Sequence, residues 1–141
     1  MEINCSTIVI HASRKKVWDI LTRPEQVKRW QYGSDLVTSW EPGSDIKFST
    51  SWEGQIFEQW GKVLEVKYPG SLKYSLFAPR PGLRDEPGNY FNMSYVLTEE
   101  NGYTKLQIIQ EDNRPGAVKE EPRDEANPVL LALKAIAETI G

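Results

Sequence analysis

The spacing of apolar residues changes along the chain, and the changes mark its elements. Residues 2–10 alternate, with Ile3, Cys5, Thr7 and Val9 on one face and Glu2, Asn4, Ser6, Ile8 and Ile10 on the other. That period of two predicts a strand with one mostly apolar face, the second face turning apolar toward its end. Beyond Ala12 the period lengthens. Val17, Ile20 and Leu21 stand at i, i+3 and i+4 behind Ser13, a fair N-cap, which predicts a helix. Its first turn carries Arg14, Lys15 and Lys16, charges that oppose the helix dipole, so packing must hold it, with Trp18 beside the stripe. Pro24 and Glu25 suit the start of a second short helix that places Val27 and Trp30 on one side.

Alternation then returns. It predicts strands over Asp35–Trp40 and Asp45–Trp52, separated by a turn at Glu41–Ser44. Residues 54–78 read as a long hairpin turning at Pro69-Gly70, where Pro sets one φ and Gly supplies a positive one. In its second arm Leu72, Tyr74 and Leu76 point one way, Lys73 and Ser75 the other. In its first arm Val63 and Val66 lie three apart, which predicts a bulge near Leu64–Glu65. Residues 78–89 hold three Pro and two Gly and read as a loop. Strands over Tyr90–Thr98 and Tyr103–Gln110 flank a hairpin turn at Glu99–Gly102, whose Asn101-Gly102 pair readily takes positive φ. Residues 111–126, polar and broken by Pro115 and Pro122, read as a loop. Asn127-Pro128 predicts the start of a final helix with Val129, Leu133, Ile136 and Ile140 in one stripe, widened by Leu130, Leu131, Ala132, Ala135 and Ala137. A helix so apolar needs cover on several sides, and a curved antiparallel sheet provides it.

With 141 residues, no internal repeat and no long linker, the chain reads as one domain over 1–141. A domain near this size buries about 70% of the surface its unfolded chain exposes, so a core and a cavity can coexist. Five Trp, six Tyr and four Phe provide bulk for both. A net charge of −3 argues against a nucleic-acid partner, which usually demands a basic face. No apolar run reaches the ~20 residues that cross a bilayer, and the first residues lack the pattern of a signal peptide. The single Cys excludes an internal disulfide. Together these features predict a cytoplasmic protein with no membrane partner.

Catalytic chemistry leaves few marks. The one His, His11, sits where the first strand meets the first helix and reads as structural or exposed. One His and one Cys make a nucleophile pair improbable and a His/Cys metal cluster impossible by count. No Gly-rich phosphate loop is present, and no cofactor is indicated. Glu53, Glu58, Glu65 and Asp112 are carboxylates that an apolar cavity could turn into a general base, with nothing in the sequence to choose among them. The run Lys119–Glu125 reads as a solvated loop.

The element order, strand, two short helices, six strands, long helix, accompanies specific segments: A-S-R-K-K-V-W-D-I-L-T-R-P-E-Q-V-K-R-W (12–30), E-P-G-S-D-I-K-F (41–48), E-G-Q-I-F-E-Q-W-G-K-V-L-E-V-K-Y-P-G-S-L-K-Y-S (53–75) and Y-V-L-T-E-E-N-G-Y-T-K-L (95–106). In these the chain resembles the START-like (SRPBCC, Bet v 1-like) superfamily, and most closely the branch related to the C-terminal domain of the activator of Hsp90 ATPase. The resemblance implies an α+β helix-grip fold: a seven-stranded curved antiparallel sheet, two short helices after the first strand, and a C-terminal helix packed across the sheet. It implies an apolar cavity between sheet and helix for a small hydrophobic molecule. The residues expected to face that space are Phe48, Thr50, Trp52, Phe57, Gln59, Tyr74, Leu76, Phe91, Met93, Gln110 and Leu133. Gln59 and Gln110 are polar where burial demands a partner, which is a ligand, each other, the backbone or water. A small-molecule binder or carrier is the first expectation. A cavity-based cyclase, hydrolase or dehydratase and a chaperone-interaction module are the alternatives, and a weak homodimer is compatible with each.

Overall fold

A computed structural model describes residues 2–31, 33–117 and 128–139, with the side chains of Trp52 and Pro128 left aside. The elements run β1 (Glu2–Ile10), α1 (Arg14–Thr22), α2 (Pro24–Trp30), β2 (Asp35–Thr38), β3 (Asp45–Trp52), β4 (Gln55–Lys67), β5 (Ser71–Leu76), β6 (Phe91–Glu100), β7 (Tyr103–Asp112) and α3 (Pro128–Glu138), with one 3-10 turn at Pro87–Asn89. The strands form one seven-stranded sheet in the order β1-β7-β6-β5-β4-β3-β2, each pair antiparallel. This is the expected α+β helix-grip arrangement. Asn127 and Ile140, assigned to the last helix from the sequence, and most of the 111–126 loop lie outside the described residues.

The helices hold together through donors that close their ends. Ser13 Oγ accepts from the Lys16 backbone N–H at 3.2 Å, the expected N-cap. At the other end of α1, the Trp30 indole donates to the Ile20 carbonyl at 2.8 Å and the Trp40 indole to the Thr22 carbonyl at 2.9 Å, so two tryptophans satisfy carbonyls a helix terminus leaves open. Lys16 Nζ donates to the Thr139 carbonyl beyond α3 at 2.8 Å, which puts one of the badly placed first-turn cations to use. The helices rest chiefly on β1, β2, β6 and β7.

Two local expectations change and two hold. The hairpin turn at residues 68–70 has a cis peptide at Tyr68–Pro69, and Gly70 does not take a positive φ. The bulge falls where the spacing put it, with the β4–β5 register shifting between Val63 and Glu65. In β1 the buried residues are Ile8 and Ile10, while Ile3 is exposed. The face that looked mostly apolar points outward, because the helices cover the opposite face near the strand's end. At the β6–β7 turn Asn101 and Gly102 both take positive φ, as expected.

Candidate functional site

Strand register decides which predicted residues share a face. Residues directly opposite in an antiparallel pair project to the same side. Phe48 opposes Gln59, and Thr50 opposes Phe57. Tyr74 opposes Met93 and Leu76 opposes Phe91, while Met93 in turn opposes Gln110. The backbone of Trp52, opposite Gln55, follows the same alternation. The sheet therefore turns Phe48, Thr50, Phe57, Gln59, Tyr74, Leu76, Phe91, Met93 and Gln110 toward the helices, on its inner face.

Burial divides this set. Phe48, Tyr74, Leu76, Phe91 and Leu133 belong to the main core, with Met93 packed against it. Phe57 is 53% exposed and Gln59 is exposed. The helices bear mainly on other strands, so the β3–β4 end of the inner face stays open. A cleft of about 370 Å³ lies at that end along the edge of β4, lined by Phe57 and Gln59 of the inner face, by Ile56, Glu58 and Trp60 of the outer one, and by Ala78 and Pro79. A second, of about 270 Å³, lies at the far end beside Gln110, Asn4, Arg80 and Arg114. The two glutamines thus stand at separate openings and not beside one another. Thr50 bonds the Ser34 hydroxyl at 2.6 Å.

Between the openings two phenols meet. The hydroxyls of Tyr74 and Tyr95 lie 2.6 Å apart, and their rings are perpendicular with centroids at 5.7 Å. Burial, then the neighbouring Tyr95, holds the Tyr74 phenol well above its ordinary range; burial pushes Tyr95 up to about 12. Both are neutral in any physiological buffer. Two hydroxyls carry two protons but need only one for their mutual bond. Among the described residues the second O–H finds no acceptor.

Of the four candidate carboxylates, three pair with a cation and Glu53 is exposed. Asp112 is held below its usual value by the Arg114 side chain, whose Nε and terminal nitrogen donate at 2.8 and 2.7 Å. Glu65 is lowered by its hydrogen bond and charge pairing with Lys67, and Glu58 pairs with Lys47 at 3.0 Å. Glu53 sits in the β3–β4 turn at φ 48°. The His11 side chain is exposed near Tyr103, and its backbone N–H donates to Glu138. Among the described residues no three His, Cys, Asp or Glu side chains are placed to hold a metal ion.

The outer face holds a feature that sequence reading missed. Trp60 and Phe77, joined by a backbone bridge, have ring centroids 5.4 Å apart, and Phe77 lies 5.4 Å from Tyr90. Phe77 is buried yet stands outside the main core. Asp85, from the 79–90 segment, accepts from the Trp60 indole at 3.0 Å and from the Tyr90 hydroxyl at 2.5 Å. The segment is thereby moored to the outside of the sheet. Beside it lies a cavity of about 810 Å³, lined by Trp60, Tyr90, Pro87 and Asp85, by Gly61 and Ser75, and by Asp45, Ile46, Lys47 and Lys62. The signal was present: Trp60 and Phe77 break the alternation by placing bulk on the phase that Lys47, Lys62 and Ser75 make polar.

Residues 11–138 match the family described as Activator of Hsp90 ATPase homolog 1-like protein. No protein with a curated description matches the chain. Among solved structures, ChR145 from Cytophaga hutchinsonii is 30% identical, with a TM-score of 0.78 over 96% of this chain and 93% of that one. The Aha1 dimer from Colwellia psychrerythraea is 20% identical, with a TM-score of 0.71 over 98% and 97%. Ara h 8.0201 is 9% identical and superposes with a TM-score of 0.70 over 96% and 97%, a likeness of fold alone. Among the described residues no helix is long and apolar enough to cross a membrane.

Proposed function

This chain belongs to the Activator of Hsp90 ATPase homolog 1-like family, and from that footing we propose that it is a START-like binding or carrier protein for a small apolar molecule held on the inner face of the sheet. The observation that carries the reading is Phe57. Its ring points the same way as buried Phe48 and Tyr74 yet stays 53% exposed, at the mouth of a cavity of about 370 Å³. A guest that covers this ring gains roughly 25 cal/mol for each Å² of apolar surface removed from water. The spare phenol proton of the Tyr74–Tyr95 pair and the amides of Gln59 and Gln110 supply the few polar contacts that fix orientation in such sites. Lowered pKa values at Asp112 and Glu65 make both weaker bases and favour binding over proton-transfer catalysis. A cytoplasmic location accords with the unpaired Cys5.

Native mass spectrometry of the freshly purified chain tests this directly: a retained small molecule is expected, and the Colwellia relative makes a dimer the second species to look for in the same spectrum. If nothing co-purifies, 1-methylnaphthalene serves as probe. Amide shifts at Thr50, Phe57, Met93 and Gln110 support the site, and their absence at saturating probe rejects it.

The second reading, a chaperone-interaction module, draws on the family and on the exposed Val37 and Ile56 on the outer face. Stimulation of Hsp90 ATP turnover that disappears in Val37→Asp would favour it.

A further inference from the structure

The outer face of an antiparallel sheet can stay solvated, and Lys47, Ser49, Ser51, Lys62 and Ser75 keep it polar here. Trp60, Phe77 and Tyr90 interrupt that surface with a small aromatic cluster of their own, and next to it lies the ≈ 810 Å³ cavity. That volume is within the roughly 300–1,000 Å³ of small-molecule sites.

Charge decides what the cavity suits. Two cations line the cavity, and both are already matched: Lys62 pairs with Asp45, also in the lining, and Lys47 with Glu58 at 3.0 Å. Arg84 reaches Glu86. Asp85 differs. Its partners are the neutral indole N–H of Trp60 and the neutral hydroxyl of Tyr90, and no ion pair to it is formed among the described residues. These two donors hold its carboxyl below the ordinary value, so it stays an anion at neutral pH. Each carboxylate oxygen accepts one bond and retains lone-pair capacity for another. The Trp60 and Tyr90 faces are electron-rich, and aromatic faces attract cations within about 6 Å.

We propose that the outer cavity is a second ligand site, sharing Trp60 with the cleft at Phe57, and that it takes an aromatic organic cation: the ring system lies against Trp60 and Tyr90 and the positive charge lies toward Asp85. The mooring bonds give Asp85 its position, and the aromatic cluster gives the ligand its apolar contact. Asp85, Pro87 and Tyr90 make the 85–90 part of the segment one wall of this site.

The matched probes are 1-methylquinolinium and 1-methylnaphthalene, nearly identical in shape and different in charge. Titrations use the full chain, followed by the Trp60 indole N–H resonance. The quinolinium is expected to shift that resonance with an affinity about tenfold above the hydrocarbon's, and Asp85→Asn, which keeps an acceptor for the indole, to abolish the difference. Equal affinities, an unchanged quinolinium titration in Asp85→Asn, or shifts confined to Phe57 and Met93 would overturn the proposal. Should the substitution release the segment, seen as a displaced indole resonance before ligand is added, the unaltered chain decides. Raising salt from 0.02 to 0.5 M is expected to weaken the quinolinium severalfold and leave the hydrocarbon alone, and a flat response refutes the charge pairing.

Discussion

Gly61 of β4 and Ser75 of β5 lie so close that a Cβ on Gly61 would collide with the Ser75 carbonyl oxygen and stand 2.5 Å from its carbonyl carbon. Both obstacles are main chain and cannot rotate aside. Gly61→Ala is therefore expected to destabilise the fold by about 3 kcal/mol or more, because strands must part to admit one methyl group. Urea unfolding measures it, and a cost within about 0.5 kcal/mol, typical of an innocuous surface change, would refute the close approach.

Tyr74 and Tyr95 offer a double-mutant cycle. Tyr74→Phe and Tyr95→Phe should each cost about 1–2 kcal/mol, since each strands a buried hydroxyl. The double variant should cost less than the two single costs added, because both hydroxyls then leave together. Strict additivity in thermal or urea unfolding would show that the two oxygens do not depend on each other.

Asp112 predicts the acid limb of stability. Its side chain is 7% exposed and its folded value lies below the ordinary one, chiefly through Arg114. A lowered value means the unfolded chain binds the proton first as pH falls, so the contribution is complete above about pH 4 and fades as pH drops through the folded value. Asp112→Asn should lose about 1–3 kcal/mol at pH 7, and the gap to the parent chain should narrow toward pH 2. A gap independent of pH would rule out the charged form as the source.

Phe57 separates binding from folding. Half in solvent, Phe57→Ala should leave the melting temperature within about 2 °C of the parent. It should weaken 1-methylnaphthalene about fivefold by removing ring contact at the mouth. Lost stability with unchanged affinity would return Phe57 to an ordinary packing role.

Much of this molecule could be read from its spacing. The alternation of Leu72, Tyr74 and Leu76 gave the inner face of β5, the interval from Val63 to Val66 gave the bulge, and Ser13 gave the start of α1. Alternation names a face, but it does not say how far the helices extend over that face. Phe57 and Phe48 carry the same pattern and differ in exposure only because tertiary packing reaches one of them. Gln59 was expected beside a buried partner and stands in the open for the same reason. The mooring of residues 79–90 depends on Asp85 meeting Trp60 across 25 positions, a contact with no local signature.

Strand β4 is a party wall. Gln59 looks into one room, and Trp60, its immediate neighbour along the backbone, lines both. A tenant in either room therefore meets the same indole.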